Sequence, residues 1–597
     1  MNLNFFSRKI IQPILVGVFL ILLATGFYLL YISRTGASLF SPWQTIQPAY
    51  IYCFAAITLV LGGMIFLRLP RRLLLFFFIL YSFLLHSYLP LTHQLLYGAD
   101  SWRHIADEAR LLAGLSLTPA SLAAQASAVG TLIGVISYWQ LWFLTILIAK
   151  LTTLNLIFVN AWLLPVLWSI AFPVLFFRVV KELHFSERWS FVLLWLSAWP
   201  FALQTAGSFS LPVNLGFLLW LAAIVIMLWW LSEPSRRKIY CLIVVGLILT
   251  FGYALFAVLF WLSVLILVLL KYMKGSSGRW FLAAAGGLVI PAFELFAGYS
   301  TIDWHLNGWS AFKQLVGNFS GWYLADGPRP HVIASGNILF NQVPSYAFIP
   351  NWLTAWHWWI VIAALFFFSL TIYGMYLGFR SESRAWQWLT FLAESLFVSY
   401  VCSWYLLGGE HILARRLDVV LAFFSVIFFG FGLTHWLTHH FLNFSARRRS
   451  LGIASLLVLG SLAVAASYSL GPASAAVSTD QYAAMGYIWN QELNASSHCV
   501  LADTYSLLAL EAISKRAIVG GGFPMDTNFG QPELARLYDQ LTSTPTPALL
   551  DEALRVTGAN QCWLALPAGQ KFETKPTLLA GLPFQQFGKI FVWRYTK

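Results

Sequence analysis

The chain has 597 residues, of which 59% are hydrophobic and only 10% charged, and its mean hydropathy is +0.73. Soluble globular domains carry about 25% charged residues, so this composition excludes that class and describes a polytopic α-helical membrane protein. The net charge of +13 does not read as a nucleic-acid surface: the basic residues stand in twos and threes at the ends of apolar runs, and no nucleic-acid motif is present.

The N-terminus has a basic start and one long apolar run, read as a retained signal-anchor. Apolar runs follow near 49–68, 73–96, 156–177, 189–206, 211–231, 239–251, 253–270, 280–299, 354–378, 388–407, 417–437 and 451–470, which with 10–31 makes about 13 transmembrane helices. Placing the N-terminus in the cytoplasm puts Arg68/Arg71/Arg72, Arg178/Lys181/Arg188, Arg236/Arg237/Lys238, Lys271/Lys274/Arg279, Arg380/Arg384 and Arg447/Arg448/Arg449 all inside. That satisfies the excess of Lys and Arg expected of cytoplasmic loops. It holds only if the apolar stretch 132–149 does not cross, so that stretch is read as interfacial or re-entrant. Residues 1–470 then form the membrane domain, with a long first outside loop at 97–155 and another at 300–353, and residues 471–597 lie outside.

The first outside loop opens on Tyr97-Gly-Ala-Asp100. Asp100, His104, Asp107 and Glu108 share one helical face, and Trp102, Ile105, Ala109 and Leu112 the other, the pattern of a helix lying on a membrane surface. A solvated polar face is the plain alternative. Glu294 falls near the outer end of its span and is a candidate to line a cavity; Glu394 falls deeper and reads as a structural hydrogen-bonding partner. Outside, between two spans, Gly408-Gly-Glu-His-Ile-Leu-Ala-Arg-Arg-Leu-Asp418 concentrates Glu410, His411, Arg415 and Arg416. Paired arginines beside a low-dielectric cavity suit a phosphate; anchoring a helix end to lipid headgroups is the other reading.

The C-terminal part changes character. A helix over Asp480–Leu493, an apolar run Cys499–Ala502, a helix Ser506–Lys515 and a run Ala517–Val519 precede Gly520-Gly-Gly-Phe-Pro524. Helices near 531–541 and 547–557 and strands Cys562–Leu566 and Lys589–Tyr595 complete a small α/β domain. The glycine triplet reads as a turn, because nucleotide-loop spacing is missing. Cys53, Cys241 and Cys402 lie in apolar spans, whereas Cys499 and Cys562 could form a disulfide outside the cytoplasm.

Taken together, Tyr97-Gly-Ala-Asp100, the stretch Tyr138-Trp-Gln-Leu-Trp-Phe through Leu154, Phe185-Ser-Glu-Arg-Trp running to Ala198-Trp-Pro200, and the outside tail resemble the GT-C superfamily of membrane glycosyltransferases. The resemblance is architectural and spans nearly the whole chain. It implies an inverting enzyme of a bacterial cytoplasmic (inner) membrane, moving a sugar from a polyprenyl-phosphate donor to a protein, lipid or polysaccharide acceptor on the extracytoplasmic side. Asp100 would be the acceptor's base, with His104 orienting it, contacting phosphate or completing a metal site. Arg415, Arg416 and His411 would bind the donor phosphate, and Glu410, Glu294, Arg103 and Lys313 would line the cavity. No cofactor is certain: a divalent metal is conceivable, but the second outside turn, Gln204–Asn214, lacks the carboxylate that would support it. The competing expectations are a lipid-linked glycan transporter or flippase, and a non-catalytic membrane assembly factor.

Overall fold

The computed structural model describes residues 5–67, 69–115, 138–272, 285–302, 308–309, 357–409, 411–440, 446–469, 474–491, 499–517, 531–544, 546–568 and 582–596. Among these, seven helices are long and apolar enough to cross a membrane: Ile10–Ile32, Ala49–Phe66, Leu156–Glu182, Pro212–Ser232, Arg384–Leu406, Asp418–His439 and Leu451–Ser469. Shorter apolar helices accompany them, including Ala254–Leu270 and Leu365–Arg380. The helix Trp139–Thr152 has 14 residues; at about 1.5 Å per residue it reaches about 21 Å, short of a hydrocarbon core of about 30 Å. The rest of the 132–149 stretch lies outside the described residues.

Two runs expected to form single spans divide. The run 189–206 becomes the helices Glu187–Leu196 and Phe201–Ala206. Pro200 has no N–H to continue the ladder and disfavours helical backbone in the residue before it. The buried Gln204 amide repairs the break by donating to the carbonyls of Ala198 at 2.7 Å and Val464 at 3.2 Å. The run 73–96 likewise yields the helix Arg71–His86 and a single turn, Tyr88–Thr92.

Two helices pack closely where glycines face each other. A Cβ on Gly374 would overlap the carbonyl of Phe428, and one on Gly432 the carbonyl of Leu370, so the helices His357–Arg380 and Asp418–His440 cross backbone to backbone. At one end of the bundle, basic side chains cap aromatic ones: the Arg71 guanidinium lies 4.8 Å from the Phe177 ring centroid and that of Arg188 5.4 Å from Phe66. At the other end, strand β1 (Ser300–Ile302) pairs antiparallel with β2 (Leu407–Gly409).

The C-terminal segment contains a four-stranded sheet of β3 (Val500–Leu501), β4 (Gln561–Pro567), β5 (Phe584–Phe587) and β6 (Ile590–Thr596), in the order β3-β4-β6-β5. Only the β3–β4 pair is parallel. That pairing sets Cys499 beside Cys562, and the two form a disulfide. Strand β5 was not anticipated; a tight turn at Gly588, at φ 52°, folds it onto β6. The helices Thr479–Gln491, Thr504–Ile513, Gln531–Ser543 and Pro547–Thr557 match the periodicity of the sequence. The Gly520–Gly522 triplet lies outside the described residues.

The helix Ala99–Leu112 does not have the setting that its amphipathic pattern predicts. Trp102, Ile105 and Ala106 pack into a core with Ala484, Met485, Ile488, Leu507 and Leu508. Trp102 and Ile105 of the face expected to lie on lipid are therefore covered by the C-terminal segment, while Leu112 at its end stays exposed. Its charged face is also buried: Arg516 donates to Asp107 and pairs with Glu511 at 3.1 Å, while Asn160 donates to Glu108. Burial holds the Glu108 carboxyl at about 8 despite that hydrogen bond.

Candidate active site

The Asp100 helix starts where the chain reverses out of the bundle. Gly98, at φ 88°, takes a left-handed conformation that side chains rarely adopt, and its N–H donates to the Ala475 carbonyl at 3.0 Å. Tyr97 bridges to Ala476 beside it. Asp100 thus sits half-buried in the first helical turn, anchored by the start of the C-terminal segment.

Arg416, far along the chain, interacts electrostatically with Asp100. It lies on the short 3-10 turn Ala414–Leu417, immediately before the helix Asp418–His440. Asp100 interacts electrostatically with Arg416, as do Tyr138, Tyr253 and Tyr299. The Arg416 guanidinium carbon lies 5.5 Å from the Tyr253 ring centroid, and its Nε is buried without a hydrogen-bond partner. A buried donor left open in this way is the kind of group that a bound anion satisfies.

His104 stands one turn after Asp100 and is buried. Its Nδ1 accepts from the Trp142 indole at 3.3 Å, and its ring packs edge-on to Tyr138 at 5.0 Å. An indole N–H can only donate, so Nε2 carries the imidazole proton. Burial pushes the His104 pKa down to about 4, with Arg416 and Arg103 adding to the effect against Asp100. At neutral pH His104 is therefore a neutral donor through Nε2, suited to a carboxylate or phosphate oxygen. Arg103 is half-buried and interacts electrostatically with His104, Asp107 and Glu511.

The other expected site residues are placed as follows. His411 follows β2 at φ 46° and packs its ring 4.4 Å from that of Trp404. The backbone of Arg415 is in the same 3-10 turn as Arg416. Glu410, Lys313 and the Arg415 side chain lie outside the described residues. Glu294 is fully buried, and its carboxylate is turned toward the backbone at Leu413 and Ala414. Glu394, expected to have a hydrogen-bonding partner, has its Oε2 buried with none. Among the described residues, no group of three or more His, Cys, Asp or Glu could hold a metal ion.

Sequence reasoning did not single out Tyr253, Tyr299 or Tyr505, the last of which also interacts with Asp100. Two of them carried a signal: Gly252-Tyr253 and Gly298-Tyr299 each follow an apolar helix, as Tyr97-Gly98 precedes the Asp100 helix. A glycine with an amphipathic aromatic neighbour at a helix end marks an interface position.

No protein-family model matches the chain, and no curated protein matches it in sequence. Its fold is similar to that of the oligosaccharyltransferase of Archaeoglobus fulgidus solved with zinc and sulfate, at 12% identity and a TM-score of 0.45, covering 79% of this chain and 64% of that one. The same enzyme tethered to an acceptor peptide with the NVT sequon gives 11% identity and a TM-score of 0.46, covering 79% and 65%. The chain thus spans a little less than two thirds of that enzyme's length. ArnT from Cupriavidus metallidurans, bound to undecaprenyl phosphate, gives 12% identity and a TM-score of 0.41, covering 92% and 98%.

Proposed function

We propose that this protein is a GT-C-type glycosyltransferase that takes a sugar from a polyprenyl-phosphate donor on the extracytoplasmic face of a bacterial cytoplasmic membrane. The observation that carries the reading is Arg416, its buried Nε open, interacting electrostatically with Asp100. The positive-inside pattern puts both residues on the outer side. In this reading about 13 helices span the membrane, the N-terminus is cytoplasmic, and residues 471–597 form an extracytoplasmic α/β domain resting on the Asp100 helix.

The chemistry follows from the two charges. Asp100 accepts the proton of an acceptor hydroxyl or amine as that atom attacks the anomeric carbon. The bond from that carbon to the phosphate oxygen breaks on the opposite face, inverting the centre. Negative charge gathers on the departing polyprenyl phosphate, where Arg416, with Arg415 beside it in sequence, stabilises it in a low-dielectric setting. His104 donates from Nε2 to hold the carboxylate or the phosphate in place.

The test uses purified full-length protein and a panel of undecaprenyl-phosphate sugars. Asp100→Asn abolishes transfer and leaves binding of undecaprenyl phosphate unchanged; turnover by this variant rejects the proposal. Movement of the donor across vesicles without sugar transfer assigns the chain to transport instead.

A further inference from the structure

Glu294 is completely buried, on the helix Val289–Phe296. Its Oε1 accepts from the backbone N–H of Leu413 at 2.6 Å and of Ala414 at 3.0 Å. Its Oε2 accepts from the Ser300 hydroxyl at 3.4 Å. Leu413 is the N-cap of the turn that carries Arg416 and supplies no side-chain cap of its own. The free N–H groups at the start of that turn are thus met by a carboxylate from another helix, 119 residues earlier in the chain.

Burying a carboxylate is costly unless it is hydrogen-bonded, and a local Ser or Asn would cap a turn at less cost. What the remote carboxylate adds is coupling. The chain leaves the Glu294 helix through Gly298, at φ 73°, with the Tyr299 N–H donating to the Glu294 carbonyl at 2.9 Å. Ser300 then pairs with Gly409 in the β1–β2 ladder that leads into the arginine turn. Glu294 therefore ties together the two segments that carry Tyr299 and Arg416, which interact electrostatically with each other.

We infer that Glu294 is the positioning residue for Arg416: its carboxylate caps the arginine turn from a neighbouring helix and so sets the affinity of the site for a polyprenyl phosphate. The inference rests on the phosphate-binding reading of Arg416. It departs from the expectation that Glu294 lines the cavity, since its carboxylate oxygens are directed at the turn and at Ser300.

The experiment measures the Kd of the purified full-length protein for undecaprenyl phosphate, with undecaprenol as the uncharged control. Hydrogen exchange is followed at Leu413 and Ala414. Glu294→Ala is expected to weaken undecaprenyl phosphate binding by at least about tenfold, as loss of hydrogen bonds to a charged group does, and to leave undecaprenol binding alone. Glu294→Gln, whose amide oxygen still accepts both N–H groups, stays within roughly threefold of wild type and keeps both amides protected. Glu294→Asp, one methylene too short, resembles Ala and serves if Ala does not fold. In an Arg416→Ala background, Glu294→Ala brings no further loss, because it acts through the arginine.

A Kd unchanged in Glu294→Ala, Gln as damaging as Ala, or additive losses in the cycle overturns the inference while the Arg416 assignment stands. An Arg416→Ala protein that binds undecaprenyl phosphate normally overturns that assignment, and the positioning role with it.

Discussion

Replacing Arg516 by Met leaves two buried carboxylates without their cation. Arg516 donates to Asp107 on the Asp100 helix and pairs with Glu511 at 3.1 Å on the helix Thr504–Ile513, and all three residues are buried. Met fills much of the same volume, so the loss is mainly electrostatic. Removing one partner from a buried ion pair costs about 3–5 kcal/mol, which is roughly a hundred- to several-thousand-fold in the open population of this contact. Burial already raises both acids, Glu511 to about 7, and Arg516 opposes that rise. A carboxyl whose folded pKa lies above its unfolded one binds a proton in the folded state. Its contribution is therefore favourable at low pH and is lost as pH rises through the folded pKa. Without Arg516 both acids rise further, so the penalty is large at pH 8 and shrinks toward pH 5, where they are protonated. Hydrogen exchange over 99–112 and 504–513, at the two pH values, measures it. The expected result is loss of protection at pH 8, recovery at pH 5, and recovery at pH 8 when Asp107→Asn and Glu511→Gln are added. Equal loss at both pH values would refute the electrostatic account.

The crossing of the helices His357–Arg380 and Asp418–His440 should tolerate no side chain at its glycines. Gly374→Val forces a branched group against the Phe428 carbonyl, where even a Cβ does not fit. Overpacking of this kind costs about 1–3 kcal/mol or more, read as a lower thermal midpoint in detergent, whereas Gly17→Ala, with open space around it, is silent. The Cys499–Cys562 disulfide closes a loop of 63 residues, for which chain entropy gives about 4 kcal/mol. Reduction should lower the unfolding midpoint of the C-terminal segment and leave the midpoint of the helical bundle unchanged; a shift in the bundle alone contradicts it.

Hydropathy was enough to find the long apolar helices, because it depends on local runs of sequence read against a bilayer. Periodicity placed the C-terminal helices and two of the strands for the same reason. Tight breaks were less visible: the stop at Pro200 is local, but its tolerance rests on Gln204, which reaches Val464 far along the chain. The helix Ala99–Leu112 was misread as lying on a membrane because an amphipathic pattern states that one face is apolar and not what covers it. Here Leu507, Leu508 and Met485 cover it, and its charged face is met by Arg516.

For this protein, the sequence by itself determined the class of chain, where its long apolar segments lie, and which charged residues stand at their ends. These follow from transfer free energies, which each segment carries wherever it packs. Only the tertiary structure decided that Arg416 interacts electrostatically with Asp100, that Glu294 caps the turn carrying it, and that Tyr253 and Tyr299 interact with Arg416 and Tyr505 with Asp100. Those relations join residues more than a hundred positions apart through side-chain geometry and burial, which hydrophobic period and charge count do not encode.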